Sequence, residues 1–189
     1  MRAVLLIAII PLLFAIAPRL SAKEWITHEK CSLVDDKYFD GDSFKVRAQT
    51  GYTYIFRLYG VDCGETDTRF PDRLIEQGKE FGLEPPEVLK WGKEAQKFVR
   101  KFLRKPFTVH TVKEKAGGKS KKNRYYAIII NSDGERLDEA LVNAGLARAF
   151  GMPAAWPDGT DPGRFVRKLH ALESKAKRDD AGLWKDSTK

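Results

Sequence analysis

Residues 40–66 read DGDSFKVRAQTGYTYIFRLYGVDCGET, and the fold turns on this stretch. Asp40-Gly41 is a turn signal, after which residues 43–48 alternate, placing Phe44, Val46 and Ala48 on one face. Residues 49–51 mark a second turn, and residues 52–59 are rich in aromatic and β-branched side chains. The pattern predicts a hairpin with Asp42 at the head of one strand and Asp62 just past the end of the next. Antiparallel strands bring such positions together, so the two carboxylates can share a site. Paired hard oxygens of this kind suit calcium or magnesium. Glu65 is a further acid or base, and Arg57 a candidate phosphate clamp. Singly, a DGD triplet is most often a tight turn, a strand arginine a solvated charge and a loop glutamate nothing at all. Their joint occurrence around two apolar strands raises the functional reading.

Outward from that stretch, the chain of 189 residues is long enough for one domain with a real core. Residues 1–22 carry Arg2, an apolar run from Ala3 to Ala17 and a small-residue end at Ser21-Ala22, the pattern of a cleavable secretory signal. This run is short for a spanning helix, and nothing later is apolar enough to span. A secreted or periplasmic domain over residues 23–189, free of the membrane once the signal is removed, is therefore expected. Of the net charge of +8, Arg2 and Arg19 account for two, so the excess persists without the leader and indicates an anionic partner. Cys31 and Cys63 are the only cysteines, an even count that permits one disulfide or two free thiols equally.

Residues 67–86 read as a short helix from Pro71 onward, with Leu74, Phe81 and Leu83 apolar. Pro85-Pro86-Glu87 then opens a longer helix, on which Trp91, Ala95, Phe98, Val99, Phe102 and Leu103 make one stripe. Residues 106–113 alternate as a strand. The loop KAGGKSKKN at residues 115–123 leads into a strand beginning at Arg124, and the stretch from Lys101 to Arg124 inclusive holds nine basic residues against one acid. Such a run is usually a solvated face, but its continuity with Arg124 suggests a phosphate-facing rim, with Lys119, Lys121 and Lys122 as candidate substrate-binding residues. No stacking platform is visible in that run. A turn at residues 131–134 precedes a helix with Leu137, Ala140, Leu141 and Ala144 on one face and Gly145 at its C-terminal cap. A loop containing Trp156 and a last helix from Asp161 complete the chain, with Trp184 as a core anchor. His28, His110 and His170 are isolated, and there is no GxSxG, P-loop or cysteine cluster.

The central stretch resembles the staphylococcal (thermonuclease-like) nuclease family. The likeness rests on Asp40-Gly41-Asp42, on Phe56-Arg57-Leu58 followed by Val61-Asp62-Cys63-Gly64-Glu65-Thr66, and on the later Arg124 in KKNRYYAIII, and it runs from Leu33 to Trp184. It implies an α+β fold, a five-stranded OB-type Greek-key barrel with about three helices, here with an inserted helical loop at residues 67–86 that is about fifteen residues longer than the family pattern. It further implies Ca2+ held by Asp42, Asp62 and the backbone carbonyl of Cys63, with Asp40 in support. Arg57 and Arg124 would then face the phosphate, and Glu65 would act as general base. The substrates implied are DNA and RNA, cut with little sequence selectivity by a monomer without a stable protein partner. Cys63-Gly64 stands where the family usually has Thr-Pro, and Lys122-Asn123 where it often has Tyr-Gly. The competing reading, from another class, is a catalytically decayed module that only binds nucleic acid or protein. The presence of all five of Asp42, Arg57, Asp62, Glu65 and Arg124 argues against it.

Overall fold

The computed structural model describes residues 24–36, 39–117, 123–154, 157, 159 and 161–189. Five strands close a barrel: β1 (Ile26–Val34), β2 (Ser43–Arg47), β3 (Thr53–Leu58), then β5 (Phe107–Lys115) and β6 (Tyr125–Ile130), in the order β1-β2-β3-β6-β5. The alternation predicted for residues 43–48 is realised, because Phe44, Val46 and Ala48 all point into the barrel and are buried. Across the β2–β3 hairpin, Ser43 lies opposite Arg57 and Phe44 opposite Phe56. β3 and β6 run parallel, with Arg57 opposite Tyr126; every other barrel pairing is antiparallel. This is the expected OB-type arrangement, and it sets β3 and β6 side by side where Arg57 and Arg124 are needed.

A second, two-stranded sheet lies outside the barrel. In it β4 (Val61–Cys63) pairs with β7 (Ala147–Ala149), and Asp62 faces Arg148 directly. Three-residue strands have too few positions to show a period, which is why neither was predicted as a strand.

Among the described residues four α-helices surround the barrel: α1 (Pro71–Phe81), α2 (Pro85–Phe102), α3 (Leu137–Asn143) and α4 (Pro162–Arg178), followed by a short 3-10 helix at Gly182–Lys185. α1 lies in the segment expected as an inserted helical loop, and it is not a loose excursion. Leu74, Phe81 and Leu83 join Val88 of α2, Ala176 of α4 and the terminal Leu183 and Trp184 in a small core of their own. Trp184 packs edge-on against Phe81 with ring centroids 6.5 Å apart, so its anchoring role is met in this satellite core. The inward line of α2 is Val88, Gly92, Ala95 and Val99, one step round from the expected stripe, and Trp91, Phe98 and Phe102 are only partly buried at its margin. Similarly, α3 buries Leu137, Asp138, Leu141 and Val142 rather than Ala140 and Ala144. Packing against both the barrel and α4 favours the larger side chains, and Arg136 neutralises the buried Asp138. α4 starts as expected, with the Asp161 carboxylate accepting from the Arg164 backbone N–H at 2.9 Å. Trp156 lies outside the described residues, as do residues 1–22. Among the described residues no helix is long and apolar enough to cross a membrane.

Cys31 and Cys63 are both buried and both free. Burial pushes the Cys31 thiol up to about 11 and the Cys63 thiol well above its ordinary value, so neither is a ready nucleophile. The melting temperature is expected to be the same with and without reductant, and both thiols should label only after unfolding. A drop in melting temperature on adding reductant would show a bridge instead.

Candidate active site

The site is assembled at the open end of the β2–β3 hairpin. Asp42 immediately precedes β2, and its main-chain oxygen accepts the Leu58 N–H at 2.8 Å, which locks the turn against the end of β3. Its carboxylate Oδ2 accepts the Cys63 N–H at 3.1 Å. Arg57, projecting from β3, places Nη2 3.4 Å from Asp42 Oδ2 and 3.3 Å from Asp62 Oδ1. The predicted neighbourhood of Asp42 and Asp62 is therefore real, and one guanidinium bridges them. Asp42, chiefly, holds the Arg57 guanidinium even more firmly protonated than usual.

Arg124 enters from the adjacent strand. It precedes β6 by one residue and, two positions before Tyr126, shares its face, next to Arg57 across the parallel pairing. Nη2 donates to the Gly117 carbonyl at 2.8 Å and Nη1 to Ser43 Oγ at 3.4 Å, while Nε is buried without a partner among the described residues. Asp40 is the anionic counterpart, since its Oδ1 is buried and likewise without a partner. Burial, reinforced by Asp42 and Glu65, pushes the Asp40 carboxyl well above the usual carboxylate range. Burial and then Asp42 raise Glu65 too, and Arg73 opposes them. Asp40, Asp42, Arg57, Asp62, Cys63, Glu65 and Arg124 all line one cavity of about 370 Å³. Lys119, Lys121 and Lys122, the substrate-binding candidates, lie outside the described residues.

The profile of the staphylococcal nuclease homologue family matches residues 55–186. The chain belongs to the staphylococcal nuclease family. It therefore carries a nuclease fold, and the matched span contains Arg57, Asp62, Cys63, Glu65 and Arg124.

Three further residues of this nuclease fold reach the site without having been singled out in the sequence. Arg148 of β7 reaches Asp62 Oδ2 with Nε at 3.1 Å and Nη2 at 3.0 Å, and Glu80 of α1 with Nη1 at 3.0 Å. Arg73 of α1 contacts Asp62 and, at 3.5 Å, Glu65. Gln77, fully buried one turn later on α1, donates Nε2 to the Cys63 carbonyl at 2.7 Å and accepts the Glu65 N–H on Oε1 at 2.9 Å. The only sequence signal for the last two was their i, i+4 spacing, which places them on one helix face.

Gln77 thus clamps the backbone on both sides of Gly64. The proline that the resemblance leads one to expect here is excluded by space, because a Cβ on Gly64 would meet the Val88 carbonyl at 2.7 Å. The side-chain amide of α1 supplies the rigidity that the ring would have given.

The donor chemistry fits a hard cation. Asp40, Asp42 and Asp62 offer carboxylate oxygens, and Asp40 Oδ1 is a buried carboxyl oxygen without a partner among the described residues. Among the described residues no three His, Cys, Asp or Glu side chains already converge as a ligand set. Asp62 faces Arg57, Arg73 and Arg148, and the Cys63 carbonyl faces Gln77. Exposed Phe70, Phe150 and Met152 form an apolar rim to the cavity.

Proposed function

We propose that the protein is an exported, calcium-dependent nuclease that hydrolyses phosphodiester bonds of DNA and RNA with little sequence selectivity. The observation that carries this reading is the convergence of two arginines, Arg57 and Arg124, with Glu65 and three aspartates on one cavity in a nuclease fold.

The roles follow from charge. A phosphodiester is anionic, and attack by water adds charge to the phosphoryl oxygens, so donors fixed beside those oxygens bind the transition state more strongly than the ground state. Arg124 lines the cavity and is held by a hydroxyl and a carbonyl, and Arg57 is held in place by Asp42 and Asp62. Glu65, at the cavity wall on a loop clamped by Gln77, accepts the proton of the attacking water. Asp42, Asp62 and the Cys63 carbonyl, with Asp40 behind them, would hold the calcium ion. When bound, that ion supplies further positive charge at the phosphoryl oxygens. The rim residues Phe70 and Phe150 offer faces for unpaired bases, a contact that every base can make and that adds no sequence preference. Export is inferred from the signal-like residues 1–22.

Purified protein lacking residues 1–22 is expected to degrade plasmid and single-stranded DNA with calcium present and to stop on chelation. Folded protein that binds DNA but cuts it with none of several divalent ions would establish the binding-module reading instead.

A further inference from the structure

Helix α1 brings a further arginine to the site, and its partners are the groups the proposed chemistry requires. Arg73 lies in the first turn of α1, with its side chain one-fifth exposed. Each nitrogen of its guanidinium faces a different carboxylate. Nη2 contacts Asp62 Oδ1, Nε lies 3.5 Å from Glu65 Oε1, and Nη1 lies 3.2 Å from Glu76 Oε1. The first two are, respectively, a metal-ligand candidate and the candidate general base. The third, Glu76, is largely exposed and sits one turn along the same helix.

α1 cannot readily carry this charge away. Leu74 and Phe81 root it in the satellite core, and Gln77 ties it to the Cys63 carbonyl and the Glu65 N–H. The side chain of Arg73, one-fifth exposed, has rotamers that can change while its backbone stays in place. Turned outward, it would keep Glu76 as a partner and so would not be left as an uncompensated cation. Turned inward, it neutralises the carboxylates that would otherwise attract a dication, and like charges this close are strongly disfavoured.

We propose that Arg73 is a resident counter-cation of the metal site, which a divalent ion must displace from Asp62 and Glu65 onto Glu76, so that helix α1 sets the calcium concentration at which the site loads. This rests on the metal-dependent reading above. Two ligands that compete for the same carboxylates weaken each other, and removing one tightens the other by the coupling between them.

The test is calcium binding without substrate, by calorimetry and by terbium luminescence, on the wild-type protein and on Arg73→Gln, Arg73→Lys and Glu76→Gln. Arg73→Gln is expected to bind calcium roughly 5- to 100-fold more tightly than wild type, the range of ordinary site-to-site coupling. Arg73→Lys, which keeps the charge, should stay near wild type. Glu76→Gln, which removes the outward partner, should bind more weakly than wild type. Cooperative melting of each variant confirms folding, and if Arg73→Gln does not fold, the lysine and Glu76 variants still decide. An Arg73→Gln affinity equal to or weaker than a measurable wild-type affinity would overturn the counter-cation role and leave the nuclease reading intact. So would Glu76→Gln binding as tightly as wild type. Absence of divalent binding in every form would overturn the metal-dependent reading, and this proposal with it.

Discussion

Arg124→Ala should lower nuclease activity by about 10²–10³-fold, the cost of removing one preorganised transition-state donor, while leaving the melting temperature almost unchanged. Its hydrogen-bond partners are a hydroxyl and a carbonyl, Ser43 Oγ at 3.4 Å and Gly117 O at 2.8 Å, so its loss breaks no ion pair among the described residues, and the buried Asp40 keeps Arg57 as a cation. Arg57 is a poorer test, because Asp42 and Asp62 would both lose a cation in a buried place, and instability would mix with lost catalysis. Glu65→Gln complements Arg124→Ala, since the backbone N–H to Gln77 survives and only the ionisable oxygen is lost. In the wild type, activity needs Glu65 ionised. Burial and Asp42 raise its pKa, so activity should fall as pH drops through a midpoint above the ordinary value of 4.5. The acid limb of the pH–rate profile should vanish in Glu65→Gln, whose residual activity should be flat there. Retention of a full acid limb in that variant would remove Glu65 from the base role.

Gly92→Ala should destabilise the protein by about 2–3 kcal/mol, the upper part of the range for overpacking a tight contact. That opposes the usual sign, because alanine in mid-helix is favoured over glycine by about 0.5–1 kcal/mol. Here the added Cβ would meet Glu65 O at 2.2 Å and Gly64 O at 2.5 Å. Both are backbone atoms and cannot rotate away, so either α2 or the loop bearing Glu65 must shift. For a chain of this size the melting temperature should fall by roughly 5–10 °C. Activity measured well below that temperature should fall as well, because Glu65 moves with its backbone. A melting temperature equal to or above wild type would mean that the α2–loop contact is looser than described.

Much of this protein can be read from its sequence because the signals are local. Alternation at Phe44, Val46 and Ala48, the turn at Asp40-Gly41 and the proline-led starts of α1 and α2 each depend on a few neighbouring residues. The hairpin is short, so the approach of Asp42 to Asp62 followed from it. What the tertiary structure alone decided is who neutralises whom. Asp62 meets Arg148, 86 residues away, through two three-residue strands that carry no period of their own. Arg73 and Gln77 look like ordinary polar positions of a surface helix until the satellite core of Leu74, Phe81 and Trp184 turns their face toward the site. Gly64 stands in sequence where the resemblance implies a proline, yet it is required by the close approach of Val88 and its neighbours are held by Gln77 in space. Burial, not spacing, makes an isolated charge costly, so each of these carboxylates and arginines is placed by long-range packing that no local pattern records.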